Sequence, residues 1–124
     1  MFENLKKYSD YAPFLLRLGI AMSFLVHGIP KLMNLSATSS FFASLGFPGF
    51  LGPIVGIFEV IGGILVLVGL WTRPAALWLS IIMLTAILFV HLPSGQGWEL
   101  PILLLLMNLA LLFRGSGKLA VDST

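Results

Sequence analysis

A chain of 124 residues that is 58% hydrophobic and only 10% charged cannot present the surface of a soluble domain, in which about a quarter of residues are charged. With a mean hydropathy of +1.03, it reads as an integral membrane protein with room for one domain, residues 1–124. Its formal charge of +2 comes from few groups and it has no cysteine. Without a basic cluster interleaved with aromatics no nucleic-acid partner is expected, and disulfides, thiol exchange and thiolate metal sites are excluded.

The first ten residues, Met1 to Asp10, are polar and mixed in sign. The apolar run after them is too long for a signal-peptide core and ends without a small-residue cleavage site, so it reads as a mature membrane helix over about 13–33. Pro13 is acceptable in its first turn. The segment from Asn34 to Gly52 is long for a connection. Ser36 is a candidate N-cap there, and Phe41, Phe42, Leu45, Phe47 and Phe50 suit a short interfacial helix and a loop lying on the membrane. A second span covers about 53–70 and closes at Gly69, and a third covers about 74–92, stopped by Pro93-Ser94-Gly95. The link between them, Trp71-Thr72-Arg73, is tight and makes them antiparallel neighbours. A fourth, shorter span covers about 98–113 and ends at Arg114-Gly115-Ser116-Gly117. Each approaches the roughly 20 residues that cross a bilayer. The expected fold is all-α, a transmembrane four-helix bundle.

Four spans place both termini and the Trp71–Arg73 link on one side, with Lys6, Lys7, Arg73, Arg114 and Lys118; the other side has Lys31 alone. By the positive-inside rule both termini are cytoplasmic, and the protein is a multi-pass protein of the cell membrane.

Ionisable residues inside apolar runs are costly in hydrocarbon and so mark candidate sites. They are Arg17, His27, Lys31 and Glu59, with His91 and Glu99 at helix ends. At about 1.5 Å per residue, Glu59 lies roughly 9 Å below the outer start of its helix, and His27 lies at similar depth. Lys31, His91 and Glu99 lie nearer the outer surface. Five groups from four helices therefore converge on the outer half of the bundle. On helical periodicity Arg17, Ala21, Phe24, His27, Gly28 and Lys31 share a sector of about 120°, which should face the interior. Glu59 is the expected partner of Lys31 or His27, either as an ion pair holding two helices in register or as part of a ligand site. Arg17, toward the opposite surface, either snorkels to headgroups or pairs with Asn108.

Gly52, Gly56, Gly62, Gly63 and Gly69 allow close helix approach, and Gly62-Gly63 would alternatively open space for a flat ligand beside Glu59. Trp98, Trp71 and Tyr11 fit interfacial belts. The His and Glu residues lack any paired-ligand spacing, so no metal site is assigned.

This ordered set resembles the DoxX family of small four-helix membrane proteins. The residues that carry it are Arg17-Leu18-Gly19, His27-Gly28 with Lys31-Leu32, Glu59 with Gly62-Gly63, Gly69-Leu70-Trp71-Thr72-Arg73, His91 and Gly115-Ser116-Gly117. The resemblance implies a four-helix transmembrane bundle and an association with membrane oxidoreductases, among them a thiosulfate:quinone oxidoreductase subunit and a membrane-associated redox complex. Related four-helix proteins that oxidise thiols use cysteines, which this chain lacks. A redox role is then quinone handling, with His27 and Lys31 on a quinone carbonyl and Glu59 or His91 exchanging protons, or support of a partner that holds the redox centre. The alternative is a non-enzymatic bundle, either an accessory subunit of a larger complex or a small-molecule or lipid carrier, although the inverted repeat favoured in carriers is not visible. Partner subunits or homo-oligomers are expected in addition to the bilayer.

Overall fold

The computed structural model describes residues 2–122, and all regular structure among them is helical. A 3-10 helix, Phe2–Tyr11, runs directly into α1 (Ala12–Met33). Then come α2 (Leu35–Ser44), α3 (Leu51–Val68) and α4 (Thr72–Ala86). A π-helical turn, Ile87–His91, and the single turn α5 (Leu92–Ser94) extend α4, and α6 (Glu99–Arg114) completes the bundle. Among the described residues three segments are long and apolar enough to cross a membrane: Phe2–Met33, Leu51–Val68 and Thr72–Ser94. α6 has 16 residues, about 24 Å of helix.

Local signals set most boundaries. Gly69 adopts φ 75°, where a side chain would be strained, and its N–H and that of Leu70 close onto Leu65 O, ending α3 one residue before the tight turn. Trp71 precedes α4 at φ 51°, and its N–H is capped by the Asp122 carboxylate at 2.9 Å. α2 starts two residues earlier than an N-cap at Ser36 would require. Asn34 is the cap, its Oδ1 accepting from Ala37 N at 3.1 Å, a role for which asparagine is as well suited as serine.

Packing follows the glycines. α1 lies against α3 where a side chain at Gly28 would come within 3.0 Å of Val60, and one at Gly56 within 3.1 Å of Lys31 and Leu32. At Gly62 the space is taken by Trp78 and Leu79, 2.6 and 2.9 Å from where a Cβ would stand. Trp78 Nε1 donates to Phe58 O at 3.2 Å, and its ring meets that of Phe58 edge-on. Gly63 faces Phe24 and Leu25. Both glycines therefore serve helix packing. The core is built from Ile20, Phe24, Val66, Leu79, Leu104 and Leu111.

Arg17 is fully buried, which rules out snorkelling to headgroups, and its hydrogen bonds exclude the pair with Asn108. Its five N–H donors reach five backbone carbonyls: Val66 and Leu67 at the end of α3, and Ser116, Lys118 and Leu119 in the C-terminal tail, all at 2.8–3.0 Å. The guanidinium uses every donor it has. It satisfies carbonyls left over at a helix C-terminus, where the dipole also favours a cation. Asn108 instead donates to Leu104 O within its own helix. The tail is further tied down by Val121 N to Val68 O at 2.9 Å and Asp122 N to Gly69 O at 3.1 Å.

Candidate functional site

The opposite end of the bundle holds a cavity of about 710 Å³. α1 supplies one wall through the inward sector read from its sequence: Arg17, Ala21, Phe24 and Gly28 are buried and Lys31 is half-buried. His27, at the margin of that sector, lines the cavity while remaining exposed.

α3 delivers Glu59 from below. Its carboxylate, 3% exposed, accepts from Lys31 Nζ at 2.9 Å, and the lysine side chain keeps 29% exposure. Lys31, and not His27, is therefore the ion-pair partner. Lys31 Nζ also lies 3.4 Å from His27 O. Gly28 and Gly56 let α1 and α3 approach closely enough for this pair to form across the helix interface.

The π-helical turn carries His91 to the cavity wall. Its Nδ1 lies 3.1 Å from Gln96 O. A carbonyl can only accept, so Nδ1 carries the proton, and in the neutral ring Nε2 is then the acceptor. Gly97 makes room for this ring, since a Cβ there would stand 3.3 Å from Nδ1. π-turns of this kind occur disproportionately at functional sites.

The roof comes from the segment read as interfacial. α2 folds back on α3, its Thr38 hydroxyl donating to Lys31 O at 3.0 Å and Asn34 O at 2.9 Å, and Gly52 lies flush against Thr38. This hangs Phe41, Phe42, Leu45 and Phe47 over the cavity. The rings of Phe42 and Phe47 sit 6.3 Å apart, and Phe47 meets Phe89 of the π-turn edge-on at 5.2 Å, closing the roof to α4.

His27, Lys31, Glu59 and His91 thus share one cavity. Glu99 stands exposed in the first turn of α6 and is not among the lining residues. α6 presents Leu100, Pro101 and Leu104 there instead. The phenylalanines of the roof were visible in the sequence as a cluster, but their role depends on the chain reversal at Asn34. The arrangement offers an apolar, partly aromatic chamber with one neutralised ion pair and two imidazoles. Lys31 retains donor capacity beyond its bond to Glu59, and the neutral His91 ring offers Nε2 as an acceptor.

The sequence model of the DoxX family matches residues 12–92, which hold all four of these polar groups, while α6 and the tail lie beyond the match. An uncharacterised protein of Haemophilus influenzae is 36% identical over 131 residues, covering 98% of this chain and 96% of its own. The Bacillus subtilis protein named "Putative oxidoreductase CatD" is 35% identical, covering 95% of this chain and 90% of its own. The inner membrane protein YqjF of Escherichia coli is 32% identical over 75% of this chain and 72% of its own. No solved structure matches.

Proposed function

This chain belongs to the DoxX family, and from that membership and the aromatic-roofed cavity we propose that it is the membrane subunit of a redox system whose cavity receives a quinone-type head group. The observation that carries the reading is the composition of the chamber, apolar and ring-lined except for Lys31, Glu59, His27, His91 and Thr85, whose hydroxyl is turned to its own helix and donates to Ile81 O at 2.9 Å. A cavity of about 710 Å³ falls in the range of roughly 300–1,000 Å³ typical of small-molecule sites.

The ion pair argues for a neutral ligand. Glu59 already balances the charge of Lys31, so an anion gains little there, whereas a carbonyl oxygen takes a lysine donor without adding charge. His91 Nε2 is suited to accept a hydrogen bond from the hydroxyl of a reduced ring. With no cysteine in the chain, electrons come from or go to a partner subunit. The name of the Bacillus subtilis relative agrees with a redox setting.

The topology belonging to this reading has four crossings: α1, α3, α4 with its π-turn and α5, and α6. The Lys/Arg-rich end that holds the tail faces the cytoplasm, and the cavity lies in the outer half of a multi-pass cytoplasmic-membrane protein. α6 is short for a crossing, and local thinning or minimal tilt accommodates it. The test is binding of a short-chain quinone analogue to the purified protein in lipid nanodiscs, against an analogue with the same tail and no quinone ring. Saturable binding should weaken about 10- to 100-fold in Lys31→Ala, which removes a charged donor, and also in His27→Ala. Equal affinity for the ringless analogue would refute the reading.

A further inference from the structure

α1 is not the beginning of its helical segment. The ten residues of the 3-10 helix Phe2–Tyr11 precede it, and none of them is buried. In this geometry side chains at i and i+3 eclipse one another, so Phe2, Leu5, Tyr8 and Tyr11 fall in one straight row. They are 72%, 57%, 53% and 37% exposed. The other two rows, Glu3-Lys6-Ser9 and Asn4-Lys7-Asp10, are polar throughout. Long 3-10 runs are uncommon because their own hydrogen bonds are poor, and one with a bare apolar stripe needs a surface to cover it.

Two observations identify that surface. The stripe continues without interruption into Leu15, Leu18, Met22 and Val26 of α1, spaced three or four apart and all exposed. This is the face that α1 turns away from the bundle, and in a membrane it meets lipid. The charges beside the stripe supply the second. Asp10 is engaged by Arg114 at 3.0 Å, and Glu3, the other acid of the segment, is engaged as well. Lys6, Lys7 and Lys118 remain exposed, with Lys7 Nζ 5.2 Å from the Tyr8 ring and Lys118 Nζ 6.0 Å from the Tyr11 ring. Length agrees with this placement. The 32 residues of Phe2–Met33 give about 20 Å of 3-10 helix and about 33 Å of α-helix, well beyond a hydrocarbon core of about 30 Å. The extra turns must lie at the headgroup layer.

We infer that Phe2–Tyr11 is a lipid-binding element: its apolar stripe enters the headgroup layer of the adjoining leaflet, and Lys6 and Lys7 engage anionic phospholipid headgroups. The cysteine-free chain makes the test direct. Single-cysteine variants Leu5→Cys, Tyr8→Cys, Asn4→Cys and Ser9→Cys, with Met22→Cys as an in-bilayer reference, are spin-labelled in the full chain. They are then reconstituted in nanodiscs of phosphatidylcholine with or without phosphatidylglycerol. With phosphatidylglycerol, labels at 5 and 8 should be accessible to oxygen and shielded from a water-soluble nickel chelate, and labels at 4 and 9 the reverse. Lys6→Gln and Lys7→Gln should each lower the ratio of docked to undocked segment by about fivefold, as should omission of the anionic lipid in part. Labels at 5 and 8 as open to the chelate as those at 4 and 9 would overturn the proposal and point to a protein partner for the stripe. Equal shielding in both lipid mixtures, unaffected by the lysine substitutions, would overturn the anionic-headgroup assignment.

Discussion

Replacing Arg17 with methionine tests the fold at its most connected side chain. The substitution keeps the apolar stem and deletes five donors, taking one hydrogen bond each from the carbonyls of Val66, Leu67, Ser116, Lys118 and Leu119. The bonds to Val66 and Ser116 are fully buried; the Ser116 carbonyl is left unsatisfied at about 1–3 kcal/mol, while the Val66 carbonyl loses its shorter bond and keeps only the one from Gly69 N at 3.3 Å. The three part-buried carbonyls accept water and add less, while losing a buried cation that is costly to desolvate offsets part of the total. The net expectation is about 3 kcal/mol. For a chain of this size that lowers the melting temperature by on the order of 10 °C, measured by circular dichroism in detergent. The loss should be concentrated in the tail. Trypsin cleaves after Lys118, whose carbonyl is held by Arg17, and about 3 kcal/mol of weakened closure raises cleavage there roughly 100-fold. Arg17→Lys should rescue less than half of either effect, because an ammonium has three donors and no planar fork to bridge α3 and the tail together. If Arg17→Met melts within a few degrees of the parent and its tail stays protected, the reasoning is wrong. Full rescue by lysine would show that charge at the helix end matters and the five-carbonyl geometry does not.

The Lys31–Glu59 pair should be asymmetric. Lys31→Met strands a carboxylate that is 3% exposed and should cost about 2–4 kcal/mol, whereas Glu59→Gln leaves a lysine at 29% exposure that can turn to water and should cost about half as much. Thermal melts of both variants and of the double variant, which should recover part of the loss, check this; equal single losses would contradict the exposure argument. For topology, a reporter inserted after Arg73 should report the cytoplasm and one near Ser39 the opposite side, and agreement between the two positions would exclude the four-crossing arrangement.

What the sequence determined by itself was carried by composition, periodicity and local stop signals. Membrane character, the extents of the long helices, the capping role of Gly69 and the inward sector of α1 depend on residues close together in the chain, so their signature is written in order. Even His27 at the margin of its cavity follows from its angular position at the edge of that sector. Tertiary structure alone decided the rest. Whether Lys31 or His27 meets Glu59 depends on the rotation of α1 against α3, set by the contacts at Gly28 and Gly56. The partners of Arg17 are backbone carbonyls 49 to 102 positions away; every residue carries such a group, so no side-chain pattern announces it. The phenylalanines of α2 became a roof only through the reversal at Asn34, and His91 reached the cavity through a π-turn. Glu99, chosen from the sequence by its apparent depth, sits outside the lining because the start of α6 exposes that residue. Depth along a helix is readable from residue count, but the side to which a group points at a helix end is settled by packing.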